Sequence, residues 1–392
     1  MGKRVIVVGG GIGGMACAVG MERAGWEVTV LERAPAFTEL GAGLVLAPNA
    51  VRAVDRLGLG AALRAKGMPY GSAGIRSRTG AWLVKGDLTD IERRYGVPFF
   101  ALHRADVHRM FLDALSHTDL RTDHRVISVS RGDDGAEVVF EGPGGQGTAE
   151  ADMVVVADGA HSRLRGLLFP EHPGLEYAGY VAWRGVVPAE EGRRIRTEGG
   201  PAETWGWNSK RFGVIPLPDG RIYWYASAPY PEGACAGDGM ADLIRRFGRM
   251  HDPVPAVLAS TPEENLLRHD VYHLREPLPG YAVGRIVLIG DAAHAITPDL
   301  GQGGCLALED AVTLAVLSER HSAVPALLRA YGELRVARTQ RLVGMSYRTS
   351  RVAQWREPLA IGLRDTVMRM IPMSGIMRSM DDVLDWAPPD SP

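Results

Sequence analysis

Cysteine is scarce in this chain. Three in 392 residues, Cys17, Cys235 and Cys305, cannot form a disulfide framework. No CxxC pair and no Cys/His ligand spacing occurs, so no structural metal is expected. An excess of charge is also missing. The formal net charge of −2 excludes the broad basic field of a nucleic-acid binder. No window reaches the roughly 18 uninterrupted apolar residues of a membrane span. Lysine is rare, with only Lys3, Lys66, Lys85 and Lys210 among 44 cationic residues. The remaining arginines follow a bias toward Gly, Ala and Arg, although each offers a forked donor suited to phosphate. The rest is ordinary: 46% hydrophobic and 23% charged residues exclude disordered, coiled-coil and collagen-like classes. At roughly 150 residues per domain, the length suggests two or three domains.

The N-terminus imitates a secretion signal, with Lys3 and Arg4 before an apolar run to about Met21. Yet Gly9, Gly10, Gly11, Gly13, Gly14 and Gly20 interrupt that run. Such density suits a tight phosphate-binding turn better than an export helix. The expectation is a soluble protein of the reducing cytoplasm.

Lys3–Val8 reads as a buried parallel strand, followed by glycines, a helix over Met15–Ala24 and a second strand over Glu27–Leu31. This is a βαβ opening. A helix is expected over Leu102–Leu115, strands over Arg125–Val129 and Glu137–Phe140, and a fully apolar strand over Asp152–Ala157. From Tyr177 to about Ala228 the pattern alternates and is rich in aromatics. Arg211–Leu217 and Arg221–Ala228 flank Pro218-Asp219-Gly220 and predict a hairpin. Buried-strand character returns at Arg285–Gly290, before a long helix over Gly304–Leu317 and a mostly helical remainder from about Val324.

The string Gly9-Gly10-Gly11-Ile12-Gly13-Gly14 is a G-x-G-x-x-G motif between strand and helix. Gly9 permits the tight turn, Gly11 lets backbone approach a pyrophosphate, and Gly14 lets helix pack close on strand. The helix then presents its first N–H groups and positive dipole end to phosphate. Glu32 closes the second strand 18 residues after Gly14, where a ribose-binding carboxylate is expected. This motif alone does not separate FAD from NAD(P). Two later segments do: Asp158-Gly159 through Arg165, and Gly290-Asp291 through Gly304, each following a buried strand. A carboxylate after a strand accepts from a ribityl hydroxyl, and a Gly-rich turn opening a helix offers N–H groups to a flavin ring.

These motifs, together with Gly41-Ala42-Gly43, Pro48-Asn49-Ala50, His103-Arg104-Ala105-Asp106 and Glu309-Asp310, resemble those of the class A single-component FAD monooxygenases, the flavoprotein aromatic hydroxylases, over nearly the whole length. Gly301–Cys305 and Gly179–Gly185 point to the urate-hydroxylase, 3-hydroxybenzoate-6-hydroxylase and zeaxanthin-epoxidase-like subgroup. The resemblance implies an α/β fold: a Rossmann-like FAD-binding domain with an inserted mixed β-sheet substrate domain and C-terminal helices. The expected division is residues 1–172 for the first part of the FAD domain, with 71–97 assigned to the substrate domain. Residues 173–279 form the substrate domain, 280–340 the second FAD part and 341–392 a helical segment. The length then leaves no room for the extra thioredoxin-like domain of longer relatives, which suggests the compact form.

The implied cofactor is FAD, with NAD(P)H as co-substrate bound without its own Rossmann domain. The implied partners are O₂ and an aromatic, heteroaromatic or polycyclic small molecule, with neither nucleic acid nor membrane span, in a monomer or homodimer. The implied chemistry is hydroxylation through a C4a-hydroperoxide of the reduced flavin. Olefin epoxidation or Baeyer–Villiger-type insertion, a flavin reductase or dehydrogenase, and a non-catalytic flavin-binding module stay open as alternatives. By the same resemblance Gly9, Gly11, Gly14 and Arg104 serve the pyrophosphate side, and Glu32, with Arg33 next to it, serves the adenosine ribose. Asp158 is a packing and pyrophosphate residue, Asp291 meets the ribityl or phosphate region, and Pro298, Gly301, Gln302, Gly303 and Gly304 lie against the isoalloxazine.

Arg211 and Tyr223 on the expected hairpin are the substrate candidates. The first would orient an anionic or carbonyl-bearing ring and the second would polarise a phenol. A solvated arginine and a core tyrosine are the plain alternative. Trp205, Trp207 and Trp224 read either as pocket walls or as core. His294 reads as a structural or flavin-neighbouring residue, Cys305 as packing, and the arginines of Arg335–Arg351 as a solvated helix face.

Overall fold

The computed structural model describes residues 2–37, 42–132, 134–197, 200–234, 239–371, 375 and 378–389. Gly41 and Cys235 lie outside the described residues. Strand Arg4–Val8 sits in parallel between Glu27–Leu31 and Met153–Val156. Ile286–Leu288 adds in parallel beyond Met153–Val156 and Asp119–Arg121 beyond Glu27–Leu31, while Ala282–Val283 closes one edge antiparallel. The result is a six-stranded sheet. Its strands are continuous β-branched runs because both faces are covered. Helix Ile12–Arg23 crosses one face and meets helix Gly303–Arg320 so closely that a Cβ on Gly20 would lie 2.8 Å from that of Ala315.

Leu102 does not start a helix. It belongs to strand Phe100–His103, paired with Gly43–Leu46, and the helix begins at Arg104 and ends at Leu112. The expected strand pair near 125–140 is joined by Gly145–Ala151. Glycine there hides the strand from propensity, and pairing overrides it.

A seven-stranded sheet runs in the order Leu267–His273, Glu176–Val187, Ile222–Pro229, Arg211–Pro216, Ala202–Trp205, Ser72–Ser77 and Trp82–Asp87. Its hairpin pairs Arg211 with Ser227 and Ile215 with Tyr223. Because side chains alternate between faces, the register sorts the aromatics. Trp183, Phe212 and Trp224 share the outer face with Leu243, Phe247 and Val257 of helices Met240–Phe247 and Val254–Ala259. Phe212 stacks on Trp224 with centroids 5.3 Å apart, and the Trp224 indole donates to Thr261 Oγ1 at 2.8 Å. Trp207 is exposed to solvent. Of the three candidate pocket tryptophans, only Trp205 lies on the inner face, opposite Arg211.

Helix Val324–Ala353 lies along Gly303–Arg320, and helix Pro358–Met370 follows it. The solvated-face reading of Arg335–Arg351 fails at its first residue. Arg335 is fully buried and donates to Asp310 Oδ1 at 2.7 Å and Glu309 Oε2 at 2.5 Å. No described helix is long and apolar enough to cross a membrane. Among the described residues no His/Cys/Asp/Glu group of three could hold a metal.

Candidate cofactor and substrate site

The glycine turn leaves the central strand at Gly9, whose φ of +107° is a left-handed conformation. A Cβ on Gly14 would overlap the Gly9 carbonyl oxygen, so helix Ile12–Arg23 packs directly on the turn. Gly11 caps that helix without a side-chain acceptor, leaving its first N–H groups aimed outward. Glu32 folds back toward the turn and accepts from the N–H groups of Gly10 (2.6 Å) and Ala34 (2.8 Å). His108, which sequence reasoning did not single out, is buried with Nε2 2.6 Å from the Gly10 carbonyl. A cavity of about 320 Å³ opens in front of the turn, and Gly10, Gly11, Glu32, Arg104, Arg184 and His269 are among the residues lining it. Arg104 reaches it from the start of helix Arg104–Leu112. Arg33 is exposed and lies outside this lining.

The two later segments meet behind the same turn. Asp158 follows strand Met153–Val156, and burial raises its carboxyl pKa against the lowering by Ser162 and Arg165. Its Oδ1 is buried with no hydrogen-bond partner among the described residues. Ser162 caps helix Arg163–Leu168 by accepting from the Arg165 N–H at 2.9 Å. The Arg165 side chain ties this turn to the other segment through the carbonyls of Ala160 (2.8 Å) and Ala292 (3.2 Å). Asp291 heads the short helix Asp291–His294 and is exposed.

Pro298–Leu300 forms a single 3₁₀ turn ending at Gly301, and helix Gly303–Arg320 starts two residues later. Its N-cap Gln302 makes no side-chain cap bond, so this helix too presents unpaired N–H groups. Pro298 and Gly301 are exposed, Gly303 and Gly304 half-buried and Gln302 buried. Gln302 Oε1 accepts from Asn49 Nδ2 at 2.9 Å, and the same amide reaches Glu309 Oε1 at 2.6 Å. His294 Nε2 lies 2.6 Å from Asp310 Oδ2, which also accepts the Gly290 N–H at 2.8 Å. Burial works against the Asp310 anion, yet His294, Arg335 and the Gly290 N–H hold its pKa at about 2. His294 is thus a buried partner of Asp310. Cys305 is fully buried, and burial pushes its thiol up to about 12, as expected of a packing residue.

The inner face of the large sheet looks toward this loop. Arg211 is held between two carboxylates, Glu203 at 2.5 Å from Nε and Asp299 at Nη1. Tyr180 donates to Asp299 Oδ2 at 2.8 Å, and Tyr225 bonds to Glu203. Burial disfavours the Arg211 cation, but Glu203 and Asp299 more than restore it, so its pKa is well above the usual value. The Trp205 ring lies 5.7 Å from Arg211 and 4.7 Å from Arg364, and its indole nitrogen is buried without a partner among the described residues. Tyr223 is buried against Gly43, where any Cβ would overlap its ring. Burial raises its phenol pKa, opposed by the Arg184 guanidinium that donates to it. Glu203 carries no local motif, and Asp299 and Arg184 lie within the motif segments without being singled out. Strand register brings Glu203 and Arg184 here, and the turn Pro298–Leu300 brings Asp299.

The residues fit a flavin dinucleotide. The glycine cradle has no room for side chains, two helix N-termini carry no side-chain cap, and a buried carboxylate oxygen at Asp158 lacks a donor among the described residues. Comparison with known proteins agrees. The FAD binding domain family matches residues 3–346. The aurachin C monooxygenase/isomerase of Stigmatella aurantiaca is 36% identical over 373 residues, 94% of each chain. The FAD-dependent urate hydroxylase of Klebsiella pneumoniae is 32% identical, covering 87% of this chain and 88% of that one. The crystal structure of Klebsiella pneumoniae HpxO with FAD and uric acid superposes with a TM-score of 0.89 at 29% identity, covering 98% of this chain and 97% of the other. The chain therefore belongs to the FAD binding domain family and is a flavin-dependent monooxygenase of the class A, aromatic-hydroxylase kind.

Proposed function

We propose that this monooxygenase hydroxylates an uncharged, planar aromatic, heteroaromatic or polycyclic small molecule, with NAD(P)H as reductant and O₂ as oxidant. In net terms NAD(P)H, a proton and O₂ enter. One oxygen atom is placed on the ring, the other leaves as water, and NAD(P)⁺ departs. Bound FAD supplies the redox and oxygen-activating chemistry, and the protein supplies orientation and a dry site. Gly9, Gly11, Gly14 and Arg104 are assigned to the pyrophosphate and Glu32 to the adenosine ribose, with Arg33 at its outer edge. Asp158 is assigned to the pyrophosphate side and Asp291 to the ribityl chain. Pro298 and Gly301–Gly304 are assigned to the isoalloxazine, where the dipole of helix Gly303–Arg320 favours negative charge.

The observation that carries the substrate reading is the clamp on Arg211. One guanidinium faces two carboxylates, the partly buried Glu203 and the fully buried Asp299, so the cluster has no cation to spare for an anionic ring. An incoming carboxylate would be desolvated beside an excess of negative charge, which is unfavourable. A neutral ring meets fixed donors instead. Tyr223, which keeps its proton, and the unpartnered indole N–H of Trp205 both suit a ring carbonyl or hydroxyl oxygen. Arg211 then acts as a charge fixed in place near Pro298, positioning the ring by its field and by the shape it imposes.

The test is titration of the FAD-loaded enzyme, read by flavin absorbance, with ring pairs that differ only as carboxamide and carboxylate. The amide is expected to bind about tenfold tighter or more, roughly the worth of 1.4 kcal/mol. Glu203→Gln is expected to narrow that gap. Tighter carboxylate binding by the unaltered enzyme would contradict the reading.

A further inference from the structure

Among the described residues the three most exposed large apolar side chains sit on one helix, while Leu167, Trp207, Ile244 and Leu334 are exposed singly elsewhere. Leu359 is 89% exposed, Leu363 63% and Met370 77%, with Val367 and Ile371 also exposed. The first three and Val367 recur at i, i+4, i+8 and i+11 on helix Pro358–Met370, which places them in one stripe along its outer side. The inner side is anchored: Ile361 is buried, and buried Arg364 reaches the Ala353 carbonyl and packs over Trp205. The stripe is thus a fixed feature of a docked helix. Trp355, just before the helix, is also partly exposed.

The charge around the stripe identifies its partner. Between Arg348 and Arg369 there are five arginines, Arg348, Arg351, Arg356, Arg364 and Arg369, against Glu357 and Asp365, a net +3 within a chain whose total is −2. Arg378 lies beyond them beside Asp381. Arg364 is spent on Asp365 at 2.8 Å. Arg348, Arg351, Arg356, Arg369 and Arg378 are exposed. A second copy packed on this face about a twofold axis would set these arginines against their own images, since the same patch contributes from both sides. Like charge there opposes association. An anionic lipid surface answers both features. Acyl chains accept the leucine and methionine stripe, headgroups accept the arginines, and an amphipathic helix edged by tryptophan is the form that lies in such an interface.

We propose that helix Pro358–Met370 docks this enzyme reversibly onto an anionic membrane surface, with Leu359, Leu363 and Met370 entering the interface and the exposed arginines meeting lipid phosphates. The helix lies on the lipid and does not span it. The proposal is independent of the substrate reading, and its test reads binding alone.

FAD-loaded protein is sedimented with vesicles of phosphatidylcholine, or of phosphatidylcholine containing about a third phosphatidylglycerol, at low and high salt. Partition onto the anionic vesicles is expected to exceed that onto neutral ones by about tenfold or more and to fall as salt screens the arginines. The triple variant Leu359→Ser/Leu363→Ser/Met370→Ser and the double variant Arg356→Glu/Arg369→Glu are each expected to lose partition while keeping the flavin spectrum. Several results would overturn the proposal. The protein could stay in solution with both vesicle types, or sediment equally with both. It could form a dimer that the triple variant dissolves, with no vesicle binding, which would make the stripe a contact between copies of the chain.

Discussion

Gly14 and Tyr223 set the tolerances of the site at the scale of single residues. A methyl group at Gly14 overlaps the Gly9 carbonyl, so Gly14→Ala must push the first helix off the turn that faces the cofactor cavity. The expected outcome is protein purified largely without FAD, read from the ratio of flavin to protein absorbance. Normal flavin content would remove the cradle from the account. Tyr223 has a different role. Its ring packs on Gly43 and its oxygen meets Arg184, so Tyr223→Phe keeps the packing and removes only the hydroxyl. The expectation is unchanged FAD content with kcat lowered by about 100-fold, within the range typical of a lost proton donor. The two residues also differ in how readable they were. Gly14 announces itself in a contiguous motif, because a phosphate turn is a local object. Arg211 and Tyr223 were visible as polar groups on a hairpin, but the Glu203 and Asp299 carboxylates that define the environment of Arg211 come from a neighbouring strand and from the loop after Pro298.

Strand register and helix packing decide matters at the scale of elements. The alternation that marked Arg221–Ala228 as a strand, observed over Ile222–Pro229, already separates Tyr223 and Tyr225 from Trp224. It could not say which face was inward until helices Met240–Phe247 and Val254–Ala259 were seen to cover the other. The arginines of Val324–Ala353 show the opposite limit. A charged residue on a helix is usually solvated, and only the placement of that helix against Gly303–Arg320 reveals that Arg335 pairs with Glu309 and Asp310. Arg335→Met removes the charge and leaves two buried carboxylates, of which Arg338 and His294 still serve one each. Breaking such a pair costs about 3–5 kcal/mol, and the remaining partners place this case near 3. Chemical denaturation of the FAD-free variant beside FAD-free wild type measures it. A loss below about 1 kcal/mol would show that the network is dispensable.

The whole molecule joins two sheets across one face, and its stability should depend on pH through the buried Asp310 network beside the six-stranded sheet. Asp310 bonds the turn at Gly290 to His294 and Arg335, and its pKa falls from 3.8 to about 2. A carboxyl whose pKa is lower in the folded state stabilises the fold above its unfolded value. That stability is lost as pH falls through the folded value. The window therefore lies between about pH 4 and 2, and the linked contribution is about 2 kcal/mol. Asp310→Asn should flatten the acid limb of stability measured across this window, while an unchanged slope would assign the acid response to other carboxylates.

Function rests on the facing surfaces of the two sheets: the face bearing Arg211, Tyr223 and Trp205 is proposed to hold a neutral ring against the flavin loop for oxygen transfer. The most direct measurement supplies purified FAD-loaded enzyme with NAD(P)H, ¹⁸O₂ and a panel of uncharged aromatic, heteroaromatic and polycyclic rings, and weighs the products. The expected result is a ring product carrying one ¹⁸O atom, with NAD(P)H consumed in step with it. Consumption of NAD(P)H that yields only hydrogen peroxide across the panel, or a product whose new oxygen is unlabelled, would contradict it.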